Sequence, residues 1–101
     1  FLKHIDVTID MGENMDLGYV SVKFMQLTGP GVYMPRYVKV SVSEDGNHFR
    51  EVGKVVNDIP DDRPELCFKD FTLHFKEHAR YIRLFALKQK GFMFADEIVI
   101  Y

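Results

Sequence analysis

The chain has 101 residues, of which 47% are hydrophobic and 14% aromatic, and this is enough for one domain with a packed core. Its 13 basic and 15 acidic residues give a net charge of −2, which argues against a nucleic-acid binder held by phosphate attraction. No apolar run approaches the roughly 20 residues that a membrane span needs, so no membrane insertion is predicted.

The ends of the chain and its one cysteine bear on its origin. The chain has no starting Met and no signal peptide, so Phe1 is expected to be an excision point inside a longer protein. Cys67 is the only cysteine, which excludes an internal disulfide. We expect its thiol to be buried and packed as a small hydrophobe.

Seven strands are predicted in chain order, at residues 6–10, 18–25, 37–43, 49–56, 68–76, 80–87 and 97–101. The third is the clearest, because Val38, Val40 and Val42 alternate with polar side chains. Asp45-Gly46 then supplies the turn into the fourth strand, since Gly adopts the positive φ that such a turn needs. No segment sustains the apolar spacing of a long helix. The pattern predicts an all-β sandwich of about seven strands.

The connections between these strands are expected to alternate between the two ends of the sandwich. The short turns 44–48 and 77–79 would then share one end, and the long loops 26–36, 57–67 and 88–95 would share the other. Long loops on a rigid scaffold are where binding sites are usually built. The long loops carry the following candidate contact residues: Tyr33, Met34, Arg36, Asp58, Asp61, Asp62, Arg63, Glu65, Lys88, Gln89, Lys90, Phe92 and Phe94.

Four stretches carry a family resemblance: VTIDMGE at 7–13, YVKVSVSEDGNHF at 37–49, ARYIRL at 79–84 and DEIVIY at 96–101. They resemble motifs of the discoidin (factor V/VIII type C) domain, a fold also used by family 32 carbohydrate-binding modules, and they occur in the family's order. The resemblance implies a galactose-binding-like jelly-roll β-sandwich. Full modules of this kind begin some tens of residues earlier. Residues 1–101 are therefore expected to be a single domain that lacks its N-terminal part.

A finer resemblance points to a parent enzyme. The pattern F-x-Q…G-x-Y-x-P within residues 24–35, together with GFMFADEI at 91–98, is similar to the C-terminal module of Bacteroides-type family 20 β-N-acetylhexosaminidases (chitobiases). The resemblance implies a non-catalytic accessory domain whose partner is the catalytic domain of the same polypeptide. It also implies an extracytoplasmic location, which means periplasmic, cell-surface or secreted.

For the residues that suggest catalysis or metal binding, a structural explanation is also available. Asp96 and Glu97 are adjacent on a predicted strand, so their carboxylates point to opposite faces and do not act on one bond. A hydrolytic barrel also needs about 250 residues, so no enzyme is predicted. His74 and His78 have the spacing of zinc ligands on a helix, but they fall in and beside a predicted strand. The resemblance maps Glu97 onto a calcium-binding glutamate, and both structural hydrogen bonding and a structural calcium stay open.

The predicted carbohydrate contacts are Tyr33, Arg36, Phe92 and Phe94. Aromatic rings stack on the C–H faces of sugars, and Arg donates hydrogen bonds to hydroxyl groups, so the expected ligand is a glycan of the galactose or N-acetylglucosamine type. Core packing is the alternative for each aromatic ring. At least one of Phe92 and Phe94 is expected to pack beneath the loop, with Met93 between them facing a partner.

Two functions besides glycan binding stay open. Tyr81, Arg83 and Phe85 share a strand face that could dock the module on a neighbouring domain, with no sugar bound. Lys88 and Lys90 beside Phe92 suggest membrane adhesion, although the loop at 57–67 is acidic.

Overall fold

The computed structural model describes residues 4–62 and 65–101 and contains five β-strands in this part of the chain. They are β1 (Ile5–Gln26), β2 (Tyr37–Ser43), β3 (Arg50–Val56), β4 (Cys67–Ala86) and β5 (Phe94–Ile100). All neighbouring strands are antiparallel, in the order β3-β2-β4-β1-β5. The predictions made for Phe1 and Arg63 lie outside the described residues.

The strands β1 and β4 each replace two predicted strands, so the count of seven was wrong. Residues 77–79, predicted as a turn, lie inside β4 and pair with β1. Ala79 lies opposite Met15, and Glu77 lies opposite Leu17. Because this pairing keeps the backbone extended, the chain does not reverse there.

The β1–β4 ribbon is bent. A straight strand of 20 residues would be about 66 Å long at about 3.3 Å per residue, but the longest extent of the molecule is 42 Å. Register shifts between Asp10 and Met15, and between Leu17 and Tyr19, mark the bend. One half of the ribbon carries β2 and β3, and the other half carries β5.

The two halves of the sheet pack face to face and enclose the core. Gly53 of β3 lies against Leu73 of β4, so closely that a Cβ at Gly53 would be 2.7 Å from a Leu73 methyl carbon. Phe24 and Phe71 meet edge to face with ring centroids 5.5 Å apart. The buried apolar residues include Val20, Val22, Val38, Val40, Val42, Ile82, Leu84 and Ala86. The all-β sandwich and the burial of Val38, Val40 and Val42 are confirmed, but Ser41 and Ser43 on the other face are buried as well.

The predicted Asp45-Gly46 turn is also confirmed. Gly46 has a φ of +80°, and the Asp45 carboxylate accepts hydrogen bonds from the backbone amides of Asn47 (2.8 Å) and His48 (2.9 Å). The His48 ring and these amides hold the pKa of Asp45 well below its usual range. The carboxylate therefore organises the whole turn.

Two further observations concern the cysteine and membrane spans. Cys67 is partly buried and packs against the core. Within residues 4–62 and 65–101, no helix is long and apolar enough to cross a membrane.

Candidate functional site

The long loops 26–36, 57–67 and 88–95 contact one another, as predicted. Val32 forms bridges with Leu27 in its own loop and with Phe92 in the last loop. Lys90 forms an ion pair with Asp61 at 2.8 Å, which joins the last loop to the middle one. The end of the sandwich that these loops build is called the loop cluster below.

Gln26 joins two of these loops from inside the protein. Its side chain is fully buried (0% exposed), its Nε2 donates a hydrogen bond to the Pro60 carbonyl at 2.8 Å, and its Oε1 accepts one from the Met34 amide at 3.4 Å. From the sequence, Gln26 was identified only as part of a motif. The sequence does contain one indication that Gln26 is buried. Gln26 follows Val22 and Phe24 at every second position of the strand, so its side chain points to the same inner face.

Tyr33 lies at the centre of the loop cluster, with its ring partly covered. Lys90 Nζ lies 4.7 Å from the centroid of the Tyr33 ring. A hydrogen bond from Lys90 holds the pKa of Asp61 below its ordinary value, and the same bond raises the pKa of Lys90. Gly91 has a φ of +60°, and a Cβ at this position would collide with the Gly31 carbonyl oxygen. Gly91 therefore allows the backbones of the two loops to approach closely enough to hold Tyr33 in place.

Phe92 and Phe94 are both exposed, and Met93 is buried between them. Phe92 is 46% exposed and Phe94 50%, whereas Met93 is only 1% exposed. The expectation that one Phe packs beneath the loop and Met93 faces a partner was wrong. Phe92 donates a backbone hydrogen bond to Gly31 at 2.9 Å and accepts one from Tyr33 at 2.8 Å, so the loop is held with Met93 inward. The backbone of Phe92 is therefore fixed beside that of Tyr33, and its ring is left exposed.

Phe94 belongs to a different row of side chains. It lies at the start of β5 opposite Met25 of β1, and Met25 lies opposite Phe68 of β4 on the other side. Phe68 is 51% exposed. These three side chains form an apolar row across the sheet, called the Phe68–Phe94 row below.

Arg36 lines a surface cleft of about 340 Å³ together with Tyr37, Lys54, Val56, Asn57 and Gln89. Each long loop contributes one residue, because Arg36, Asn57 and Gln89 come from the first, second and third loop. The Arg36 amide donates to the Leu87 carbonyl at 2.7 Å, and the Arg36 carbonyl accepts from the Asn57 amide at 2.9 Å. Lys54 and Tyr37 were not predicted from the sequence. They reach this cleft from strands, and the residue pattern of these strands gives no indication of a binding role.

Glu97 lies on β5 opposite Lys23 of β1. Both line a smaller cleft of about 190 Å³ with Tyr19, Ser21, Asp70 and Val99. Among residues 4–62 and 65–101, no three His, Cys, Asp or Glu side chains come together to hold a metal ion. The cleft offers two carboxylates, fewer oxygen ligands than calcium takes, and calcium binding by Glu97 stays a prediction.

The face of Tyr81, Arg83 and Phe85, predicted for docking, is engaged by contacts within the chain. Arg83 forms a two-bond pair with the Asp6 carboxylate at 2.8 and 2.6 Å. The Phe85 ring contacts Tyr37, with centroids 6.2 Å apart, and Lys39 Nζ lies 5.5 Å above it. Apolar side chains that are exposed lie elsewhere, and Phe68 and Phe94 of the Phe68–Phe94 row are among them.

Neither a protein-family model nor a curated protein matches the chain. Two solved structures from Clostridium perfringens are similar to it. The first is described as CpGH89CBM32-5 in complex with GalNAc-β-1,3-galactose; it is 22% identical, has a TM-score of 0.63, and aligns over 95% of this chain and 64% of its own. The second is CBM32-3 from a family 31 glycoside hydrolase, with 16% identity, a TM-score of 0.64, and coverage of 100% of this chain and 69% of its own.

The chain thus spans about two thirds of the length of these neighbours. Both likenesses cover nearly all of its described strands, and both concern the same kind of domain. The fold of this chain is therefore the discoidin-like jelly-roll β-sandwich of the CBM32 modules, as the sequence predicted.

Proposed function

We propose that this domain is a non-catalytic carbohydrate-binding module that binds glycan through the loop cluster. The observation that carries the proposal is the exposed ring of Phe92, whose backbone is fixed by hydrogen bonds to Gly31 and Tyr33 of another loop. A structural neighbour described in complex with a galactose-containing disaccharide supports it.

The loop cluster supplies the two kinds of contact that sugars need. The Phe92 ring offers an apolar face for the C–H groups of a sugar ring, and the Arg36 guanidinium offers hydrogen-bond donors to hydroxyl oxygens. The buried Gln26 side chain and the loop-to-loop backbone bonds hold these groups in place before the ligand arrives. Such preorganisation reduces the entropy lost on binding.

The proposal extends to the parent protein. We propose a secreted glycoside hydrolase of the family 20 chitobiase type, in which this module accompanies the catalytic domain and an earlier segment completes the module. The stretches at 24–35 and 91–98 support the enzyme type, and the neighbours' greater length is consistent with a further segment of the module. The proposed ligands are glycans of the galactose or N-acetylglucosamine type.

A ¹⁵N–¹H NMR titration with galactose, N-acetylglucosamine, chitobiose and N-acetyllactosamine tests the proposal. We expect saturable shifts in residues 26–36 and 88–95. Phe92→Ala should weaken binding at least about tenfold, since stacked aromatic residues dominate such sites. Phe68→Ala is the matched control, because Phe68 is exposed to a similar degree but lies in the other row.

The absence of saturable shifts, both in this chain and in one extended at its N-terminus, would overturn the proposal. Repeating the titration with calcium and with a chelator tests the predicted calcium at Glu97. Calcium-dependent shifts at Glu97 would support that site, and identical spectra would reject it.

Docking on the catalytic domain, without sugar binding, is the second candidate function. The Phe68–Phe94 row favours it, because three adjacent apolar side chains on one sheet face are typical of contact surfaces. Hydrogen exchange at residues 67–69 and 94–96 should then be slower in the intact enzyme than in the isolated domain. Equal exchange rates would reject docking through this row.

A further inference from the structure

The cleft beside Arg36 carries positive charge and no carboxylate among its lining residues. Within the described part of the chain, neither the Arg36 guanidinium nor the Lys54 ammonium lies within 4.0 Å of a carboxylate oxygen. Lys39 of β2 lies opposite Lys54 of β3. Among the described residues, its ammonium group also has no carboxylate oxygen within 4.0 Å. Three cations thus lie on and beside one cleft of a chain whose net charge is −2.

Two carboxylates near these cations are already paired with other partners. Asp61 is close enough to Arg36 to interact with its charge, but it is bonded to Lys90 at 2.8 Å. Asp6, which lies near Lys39, forms its two-bond pair with Arg83. The positive charge of Arg36 and Lys54 is therefore left for a ligand from solution.

The cleft also holds its cations on ordered elements. Lys54 Nζ lies 4.9 Å from the centroid of the Tyr37 ring, which favours one position of the ammonium group. The Arg36 backbone is tied to Leu87 and Asn57. The side chain of Gln89 is fixed by its hydrogen bond to the Met34 carbonyl at 2.8 Å. Val56, 61% exposed, supplies an apolar wall.

We infer that this cleft binds the carboxylate or sulfate group of an acidic sugar, so that the glycans recognised by the module are anionic. The inference rests on the proposed glycan binding and specifies its ligand class. Guanidinium and ammonium groups form charge-assisted hydrogen bonds to carboxylate and sulfate oxygens, and these bonds are about twice as strong as neutral ones. A neutral sugar in the same cleft would leave both cations without an anionic partner.

Sugars that differ in one substituent test this directly. We would titrate the ¹⁵N-labelled domain at low ionic strength with methyl β-galactoside, methyl β-galacturonide and galactose 6-sulfate. The acidic sugars should bind at least about tenfold more tightly than the neutral one and shift the amides of Arg36, Lys54 and Gln89. Comparing the galacturonide with the 6-sulfate distinguishes a carboxylate from a sulfate ligand. Added salt should reduce the preference.

Charge-removing variants provide the specificity control. Lys54→Gln should lower affinity for the acidic sugar about tenfold and leave that for methyl β-galactoside unchanged within about twofold. Arg36→Gln, which also removes the proposed donor to sugar hydroxyls, should lower affinity for the acidic sugar more than affinity for methyl β-galactoside. Lys76→Gln removes the same charge from an exposed lysine beside Asp16 and Glu77, away from the cleft, and should change neither affinity. All three side chains are exposed, and an unchanged amide spectrum verifies the fold.

Three results would overturn the inference. Equal affinity for acidic and neutral sugars would reject it while leaving the proposed glycan binding intact. An equal loss of acidic-sugar affinity in Lys76→Gln would show unspecific charge attraction, which also rejects it. Binding of neither kind of sugar would reject this inference, and it would reject the proposed function as well if the titration described above also shows no shifts in either chain.

Discussion

Gln26 shows how one buried polar side chain holds two loops. Its amide supplies both a donor to the Pro60 carbonyl and an acceptor for the Met34 amide, within a fully buried position. A buried polar group is stable only when it is hydrogen-bonded, so the two loops and the side chain depend on one another.

Replacing Gln26 by Leu should destabilise the domain by about 1–3 kcal/mol, because the buried amide of Met34 and the carbonyl of Pro60 lose their partner. Urea unfolding measures this effect. Ser21→Ala is the control on the same strand, since its hydroxyl bonds the Thr72 hydroxyl at 2.9 Å on the outer face, and we expect less than about 1.5 kcal/mol there. Unchanged stability of Gln26→Leu would contradict the assigned role.

Gly91 is the second residue on which the loop cluster depends. Its φ of +60° disfavours any side chain, and a Cβ would collide with the Gly31 carbonyl. Gly91→Ala should therefore cost about 1–3 kcal/mol and weaken sugar binding, because Tyr33 and Phe92 are displaced. Thermal unfolding and sugar titration measure the two effects.

The chain offers a matched control for this substitution. Gly29 lies in the adjoining loop, has no positive φ, and has no atom within 4 Å of the position of a Cβ. Gly29→Ala should leave both stability and binding near the wild-type values. A Gly91→Ala protein that matches Gly29→Ala would refute the close approach of the two loops.

At the scale of elements, the contact between Gly53 of β3 and Leu73 of β4 closes the sandwich. Gly53→Val should destabilise the domain by about 1–3 kcal/mol, since the new side chain meets the Leu73 methyl groups. Leu73→Ala should recover part of this loss. In a double-mutant cycle by urea unfolding, we expect a favourable coupling of about 1 kcal/mol. Additive effects would show that the two strands are not in contact.

At the scale of elements, residues 77–79 show where a sequence pattern led to a wrong prediction. Residues 77–79 include charged and small side chains, and the sequence analysis predicted a turn there. Pairing with Met15, Asp16 and Leu17 keeps them extended instead. Where a strand bends between two faces of a core, the order of buried and exposed residues along it changes. A prediction from periodicity alone therefore divides it into two strands.

At the scale of the whole molecule, ion pairs join distant parts of the chain. Arg80 bonds the Asp10 carboxylate at 2.7 and 2.9 Å, and these bonds, together with one from the Gly12 amide, lower the pKa of Asp10 to about 2. Pairs with Arg83, Lys69 and Lys90 lower the pKa values of Asp6, Asp58 and Asp61 in the same way. The carboxylate of each pair is exposed to solvent, so each pair contributes little by itself.

These shifts predict acid sensitivity. A carboxyl group whose pKa is lower in the folded state stabilises that state above the ordinary value of 3.8, and the effect disappears as the pH falls toward 2. The urea midpoint should therefore be lower at pH 2.5 than at pH 6. Asp10→Asn should reduce this difference, and 1 M salt should also reduce it. A midpoint that is constant between pH 6 and pH 2.5 would contradict the prediction.

The sequence by itself determined the local features of this protein. Val38, Val40 and Val42 alternate with polar neighbours, and Asp45-Gly46 forms the turn beside them, because strand periodicity and turn chemistry depend only on residues close together in the chain. The contact among the long loops was also predicted from the chain alone, by assuming that successive connections alternate between the two ends of the sandwich.

Only the tertiary structure decided how the site is composed. Arg36, Lys54, Asn57 and Gln89 are distant in sequence, and strand pairing together with loop contacts brings them to one cleft. The opposite exposure of Phe92 and Met93 likewise depends on backbone hydrogen bonds to another loop. Such contacts join residues far apart in the chain, so no local pattern of residue types encodes them.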